Sequence, residues 1–118
     1  MGRKINIEYL NKVQIRGHLG NTMRIQKVHE NNHVTFSICT NYTYKDSQGR
    51  ACIDTFWALV RHMLKENDTE LPDKLKQGAW VEVEGRLKSE RYIGADGVER
   101  HQEVIIANKV QVIDSNED

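Results

Sequence analysis

The 118-residue chain has two cysteines, one proline and no net charge, and each scarcity excludes something. Cys39 and Cys52 are too few for a disulfide framework or a four-ligand zinc site, so they read as reduced, half-buried strand residues. Apolar runs such as Val104-Ile105-Ile106-Ala107 fall far short of the roughly 18 residues of a membrane-spanning helix, and no membrane partner is expected. The start, Met1 to Glu8, carries two bases with no apolar stretch behind them, which leaves no secretory signal and implies a cytoplasmic protein. Neutrality itself is the sum of two opposed halves. Residues 1–65 hold ten Lys/Arg against four Asp/Glu, and residues 66–118 hold seven against thirteen, so a neutral total is compatible with a positive face.

What is present is enough to fold one domain: Leu, Ile, Val and Phe supply about a quarter of the residues. Apolar and polar residues alternate over Val13–Leu19, then Gly20 and Asn21 turn the chain. Met23–Val28 and Val34–Thr40 follow, separated by His29–His33 as a hairpin loop. Asp46-Ser47-Gln48-Gly49 supplies a turn into Cys52–Leu59, which is rich in aromatic and β-branched residues. The region Val60–Lys76 reads as an interrupted helix, with Pro72 tolerated only in a first helical turn. Trp80–Lys88, the turn Gly94-Ala95-Asp96-Gly97 and Val98–Val112 close the chain. This order predicts an all-β fold, a five-stranded OB-fold Greek-key barrel with one short interrupted helix between strands 3 and 4.

His29-Glu30-Asn31-Asn32-His33 matches H-E-x-x-H, the zinc metalloprotease signature, but that chemistry needs a helix to put both imidazoles on one face. Strand-like flanks and two central Asn favour a hairpin instead, so no metal site, no cofactor and no catalytic residue is assigned. Aromatics interleaved with bases form a better constellation: Tyr42-Thr43-Tyr44-Lys45, Phe56-Trp57 with Arg61, and Lys88-Ser89-Glu90-Arg91-Tyr92. A flat ring stacks on any base and a cation neutralises a phosphate, which together give sequence-tolerant binding. Strand parity puts Val81, Val83 and Leu87 inward and leaves Trp80 outward beside Glu82 and Glu84, a setting that suits a protein contact.

These residues resemble those of the bacterial single-stranded DNA-binding proteins. Asn11–Gly20 is similar to that family's first strand, and Leu75–Leu87 to its fourth, including the V-E-G-x-L signature at Val83–Leu87. Asp96–Arg100 resembles the turn into its fifth. The resemblance implies an OB-fold over residues 11–113 that coats single-stranded DNA in replication, recombination or repair. Residues 1–10 would be an N-terminal extension, and 114–118 a short end without the family's acidic, Phe-terminated tail. It implies stacking on Tyr44, Trp57 and Tyr92, where relatives commonly have Trp in place of the two tyrosines, with Met63 near a further DNA contact. Lys45, Lys65, Lys88 and Arg91 match basic contacts, and Glu90 stands where the family often has a base. Lys12, Glu84 and Gln111 match positions that meet between subunits, which implies a homotetramer built as a dimer of dimers, and Trp80 lies on that surface. A nucleoid-associated protein follows, with replication or repair proteins as further partners although the recruiting tail has no counterpart here. A primosomal replication-restart accessory protein, an OB-fold that binds mainly protein partners, is the alternative that outward Trp80 keeps open.

Overall fold

The structure, a computed structural model, describes residues 7–20, 23–66 and 68–113. Asn21 of the expected first turn, the 114–118 end and the first six residues of the N-terminal extension lie outside it. The elements are β1 (Val13–Leu19), β2 (Arg24–Val28), β3 (Asn31–Lys45), β4 (Ala51–Met63), α1 (Glu70–Lys74), β5 (Trp80–Ile93) and β6 (Glu99–Ile113). They form one sheet in the order β1-β5-β6-β4-β3-β2, and β1 also pairs with β3. That extra pairing closes a five-stranded ring and leaves β2 as an added edge. Every pairing is antiparallel except β4 with β6, which run parallel over Val60–His62 and Ile105–Ala107. The expected OB-fold barrel is present, with its helix between the third and fourth ring strands, β4 and β5.

Alternation fills the barrel. Val34, Phe36 and Ile38 of β3, Ala58 and Val60 of β4, and Val81 and Val83 of β5 are all buried, each two residues from the next. β6 breaks the period: Ile105 and Ala107 are buried at odd positions, whereas Val110 and Val112 pack on the core from even ones. Asn108 is the extra residue, because Glu84 pairs with Lys109 while the adjacent Gly85 pairs with Ala107. A Cβ on Gly85 would overlap the Ile106 carbonyl oxygen, so the bulge requires glycine there.

Three expectations are corrected. Val60–Met63 is not helical; these residues extend β4, since Val60 packs inward and the segment pairs with β3 on one side and with β6 on the other. The helix is only Glu70–Lys74, capped by Asp68, whose Oδ1 accepts from the Glu70 and Leu71 amides. Pro72 sits in its first turn, where no N–H is missed, and Leu75 and Leu71 close one end of the core. The loop His29–His33 is tighter than expected: Asn31 begins β3, and His29 and Glu30 alone turn the chain with φ of 51° and 70°. Leu87 shares the inward parity but is 46 % exposed, because it lies beyond Gly85, the last β5 residue that β1 covers, although it still pairs with Ile105 of β6.

Neither His29 nor His33 lies on a helix, and no group of three His, Cys, Asp or Glu among the described residues could hold a metal ion. Both cysteines are free and half-buried, as expected. No helix among the described residues is long and apolar enough to cross a membrane. Because the Gly85 site has no room for a methyl group, Gly85→Ala should lower the unfolding free energy by about 2–3 kcal/mol in urea titration, and an unchanged midpoint would remove the bulge from the account.

Candidate nucleic-acid interface

Four strands of 13 to 15 residues are longer than the barrel needs, and their ends project as two hairpins. In β3–β4, burial stops at Ile38 and Ala58; the part from Asn41 to Thr55 is exposed apart from half-buried Asp46 and Cys52. In β5–β6 the part beyond Leu87 and Val104 is largely exposed.

The two tips share one device. Asp46 Oδ1 accepts from the Gln48 and Arg50 amides at 2.9 and 2.8 Å, and its other oxygen meets Arg50 Nε at 3.0 Å. Asp96 accepts from the Val98 amide at 3.1 Å and pairs with the Arg100 guanidinium at 2.6 Å. In each turn a glycine with φ near +80° follows, Gly49 and Gly97. The Arg50 amide, then the Gln48 amide and the Arg50 side chain, hold the Asp46 carboxyl below its usual range. The Arg100 side chain, then the Val98 amide, do the same for Asp96.

The predicted stacking residues are all exposed: Trp57 by 56 %, Tyr92 by 42 % and Tyr44 by 41 %. They do not share one face. Register puts Trp57, Arg61 and Met63 on one side of β4, opposite Cys39, Thr35 and His33 of β3. Tyr44 lies on the other side with Tyr42, the two rings stacked at 6.2 Å, next to exposed Phe56 two rows along. Tyr42 and Phe56 thus enlarge the Tyr44 platform, and parity within Tyr42-Thr43-Tyr44 was the signal for the first of them. The Trp57 ring lies against Gly20, where a Cβ would overlap it.

The cations divide likewise. Lys45, Lys65 and Lys88 are exposed, while Arg61 is half-buried and bridged to Glu90 at 2.6 Å. Because Glu90 touches Arg61, the row Lys88, Glu90 and Tyr92 joins the Trp57 side. Arg91 faces away from that row and meets Glu99 at 3.4 Å.

The residues expected between subunits gather elsewhere. Across β1, β5 and β6 three rows run side by side on the outer face: Gln14, Glu84, Lys109; Arg16, Glu82, Gln111; His18, Trp80, Ile113. Lys12, just before β1, borders the same face beside Glu84. Trp80 is outward, 40 % exposed, with the His18 ring 3.9 Å away. Its acidic neighbour Glu82 is not bare: Arg16 at 2.7 Å and Gln14 at 3.0 Å hold its carboxyl below the usual range, the Arg16 bond first.

Residues 10–113 match the family described as Single-strand binding protein family. Among curated relatives, the chain is 32 % identical over 105 residues to the single-stranded DNA-binding protein of Neisseria meningitidis serogroup A, covering 88 % of this chain and 60 % of that one. The chain spans about 60 % of the length of such curated relatives. Among solved structures it superposes on Plasmodium falciparum SSB in complex with ssDNA with a TM-score of 0.76 and 25 % identity, over 93 % of this chain and all of the other. A small single-stranded DNA-binding protein from Streptomyces coelicolor shares the fold at TM-score 0.66 and 20 % identity, over 86 % and 93 % of the two chains.

A carboxyl whose folded pKa is depressed adds stability that is complete above its unfolded value, about 4, and is lost as pH falls through the folded value. Acidification below about pH 4 should therefore loosen both hairpin tips, read as faster exchange of the Arg50 and Val98 amides after correction for intrinsic pH dependence. Asp96→Asn should loosen the second tip at neutral pH already, and equal protection in that variant would contradict the pinning.

Proposed function

The chain belongs to the single-strand binding protein family, and we propose that residues 11–113 bind and protect single-stranded DNA without strong sequence preference, in replication, recombination or repair. The observation that carries this reading is the set of exposed rings on two pinned hairpins, flanked by Lys45, Lys65 and Lys88. Its fold match to an SSB in complex with ssDNA supports it.

Mechanistically, Tyr44, Trp57 and Tyr92 offer flat apolar surfaces to unpaired bases, and Met63, exposed on the Trp57 side, adds a soft apolar contact. Duplex DNA keeps its bases stacked inside and cannot use these surfaces. The free lysines neutralise phosphates, while Arg61 and Arg91, each holding a carboxylate, contribute less than their count implies. The protein is a binder rather than an enzyme and uses no cofactor. Its place is the cytoplasm, associated with the nucleoid.

The face formed by β1, β5 and β6 supports self-association into a homotetramer, a dimer of dimers. Its rows carry both signs, Arg16 and Lys109 against Glu82 and Glu84, so the patch can meet a rotated copy of itself. The primosomal alternative rested on outward Trp80; that ring packs against His18 and its neighbour Glu82 is held by Arg16, which leaves the single-strand reading the favoured one.

Trp57→Ala and Tyr92→Ala should each weaken oligo-dT binding by about 1–3 kcal/mol, and log affinity should fall with log salt by about 0.7 per phosphate neutralised. Unchanged affinity in both variants would remove the rings from the site. In light scattering the protein should have four times the chain mass, and a monomer would contradict the tetramer.

A further inference from the structure

Beyond Leu87 the β5–β6 hairpin leaves the other strands behind: β5 pairs with β1 as far as Gly85, and β6 pairs with β4 only from Ile105 on. Among the described residues, one side-chain bond ties residues 88–103 to the rest of the chain, the half-buried bridge from Arg61 to Glu90 at 2.6 Å. Register shows what that contact requires. Arg61 pairs with Ile106 of β6, Ile106 pairs with Arg86 of β5, and Glu90 lies four residues further along β5. In a flat sheet Arg61 and Glu90 would therefore stand two strands apart, about 10 Å, and about 13 Å apart along the strands. Contact between their tips means that the hairpin bends over the outer face of the barrel. Burial agrees: Val104, outward by alternation with Ile105 and outside the barrel core, is fully buried. From Leu87 to Ile93, Glu90 is the one residue that is not exposed.

We propose that Arg61 and Glu90 are positioning residues of the single-strand site: their bridge holds the β5–β6 hairpin bent over the Trp57 face and so fixes where Tyr92 meets a base. A guanidinium–carboxylate bond is charge-assisted and directional, which suits it to setting an angle between two elements. Tyr92 follows Glu90 by two residues in the same row, about 7 Å along the strand, so a hairpin released from Arg61 carries the ring away with it. A ring that must first be brought into place loses part of its stacking energy to ordering. Glu90 thereby strengthens binding although its charge repels phosphate, and experiment separates the two effects by their opposite signs. The proposal rests on the single-strand reading and gives it a use for an acidic residue that charge counting sets against binding.

The test is titration with oligo-dT, at one salt concentration, of wild type, Glu90→Ala and Arg61→Met, each with and without Tyr92→Ala. Glu90→Ala should bind several-fold more weakly despite losing a negative charge from the interface. Tyr92→Ala should weaken wild-type binding by at least about fivefold, and by a smaller factor once Glu90 is alanine. Arg61→Met keeps the apolar stem and breaks the bridge from its other end, so it should shrink the Tyr92→Ala factor in the same way. An equal Tyr92→Ala factor with and without the bridge, or tighter binding by Glu90→Ala, would overturn the positioning role and leave the single-strand reading standing. No wild-type binding to oligo-dT at low salt would overturn that reading and the positioning role with it.

Discussion

Ring closure is the constraint on which the rest depends. β1 reaches β3 through only two residue pairs, His18 with Cys39 and Leu19 with Ile38, and β4 reaches β6 through three. Those short seams hold because Leu19, Ile38, Val60 and Ile105, all buried, lie at them, so closure and core burial are one event. Strands that must close so small a ring spend about half their length doing so. The other half is left to project, paired only with its hairpin partner and solvated on both faces.

That division explains why the same period-2 pattern carries two meanings. Ile38, Thr40, Tyr42 and Tyr44 share one side of β3, yet Ile38 is fully buried and Tyr42 is exposed. Leu87 follows Val83 by four residues on the same side and ends in solvent. Parity states which way a residue faces, and only the length of the barrel states what it faces. The strands, both Asp-and-Gly turns, the half-buried cysteines and outward Trp80 were legible because each follows from local spacing or turn chemistry. The end of β4 was not, since Val60–Met63 suits either a helix or a strand until β6 supplies a partner from 45 residues away. The bulge at Asn108 was equally hidden, because the run Val104–Val112 contains enough apolar residues to satisfy either parity.

Electrostatics follows the same logic at the candidate interface. Counting bases along the sequence gives Arg61, Arg91 and Arg100 equal standing with Lys45 and Lys88. Pairing removes that equality: Glu90, Glu99 and Asp96 each occupy an arginine, and the two hairpin tips use Asp–Arg pairs to hold their shape. Exposed pairs of this kind add little stability in themselves, but they decide which cations face a phosphate without a competitor. The result is a surface of exposed rings with few cations that lack a carboxylate partner among the described residues.

The most direct measurement of the central claim is the intrinsic tryptophan fluorescence on titration with oligo-dT and with a duplex of equal length, each at two salt concentrations. Trp57 lies on the candidate interface and Trp80 on the opposite-purpose face of β1, β5 and β6, so stacking at Trp57 should quench part of the signal. The account predicts strong quenching by oligo-dT alone, weakened by salt. Equal quenching by the duplex, or none by oligo-dT at low salt, would contradict it.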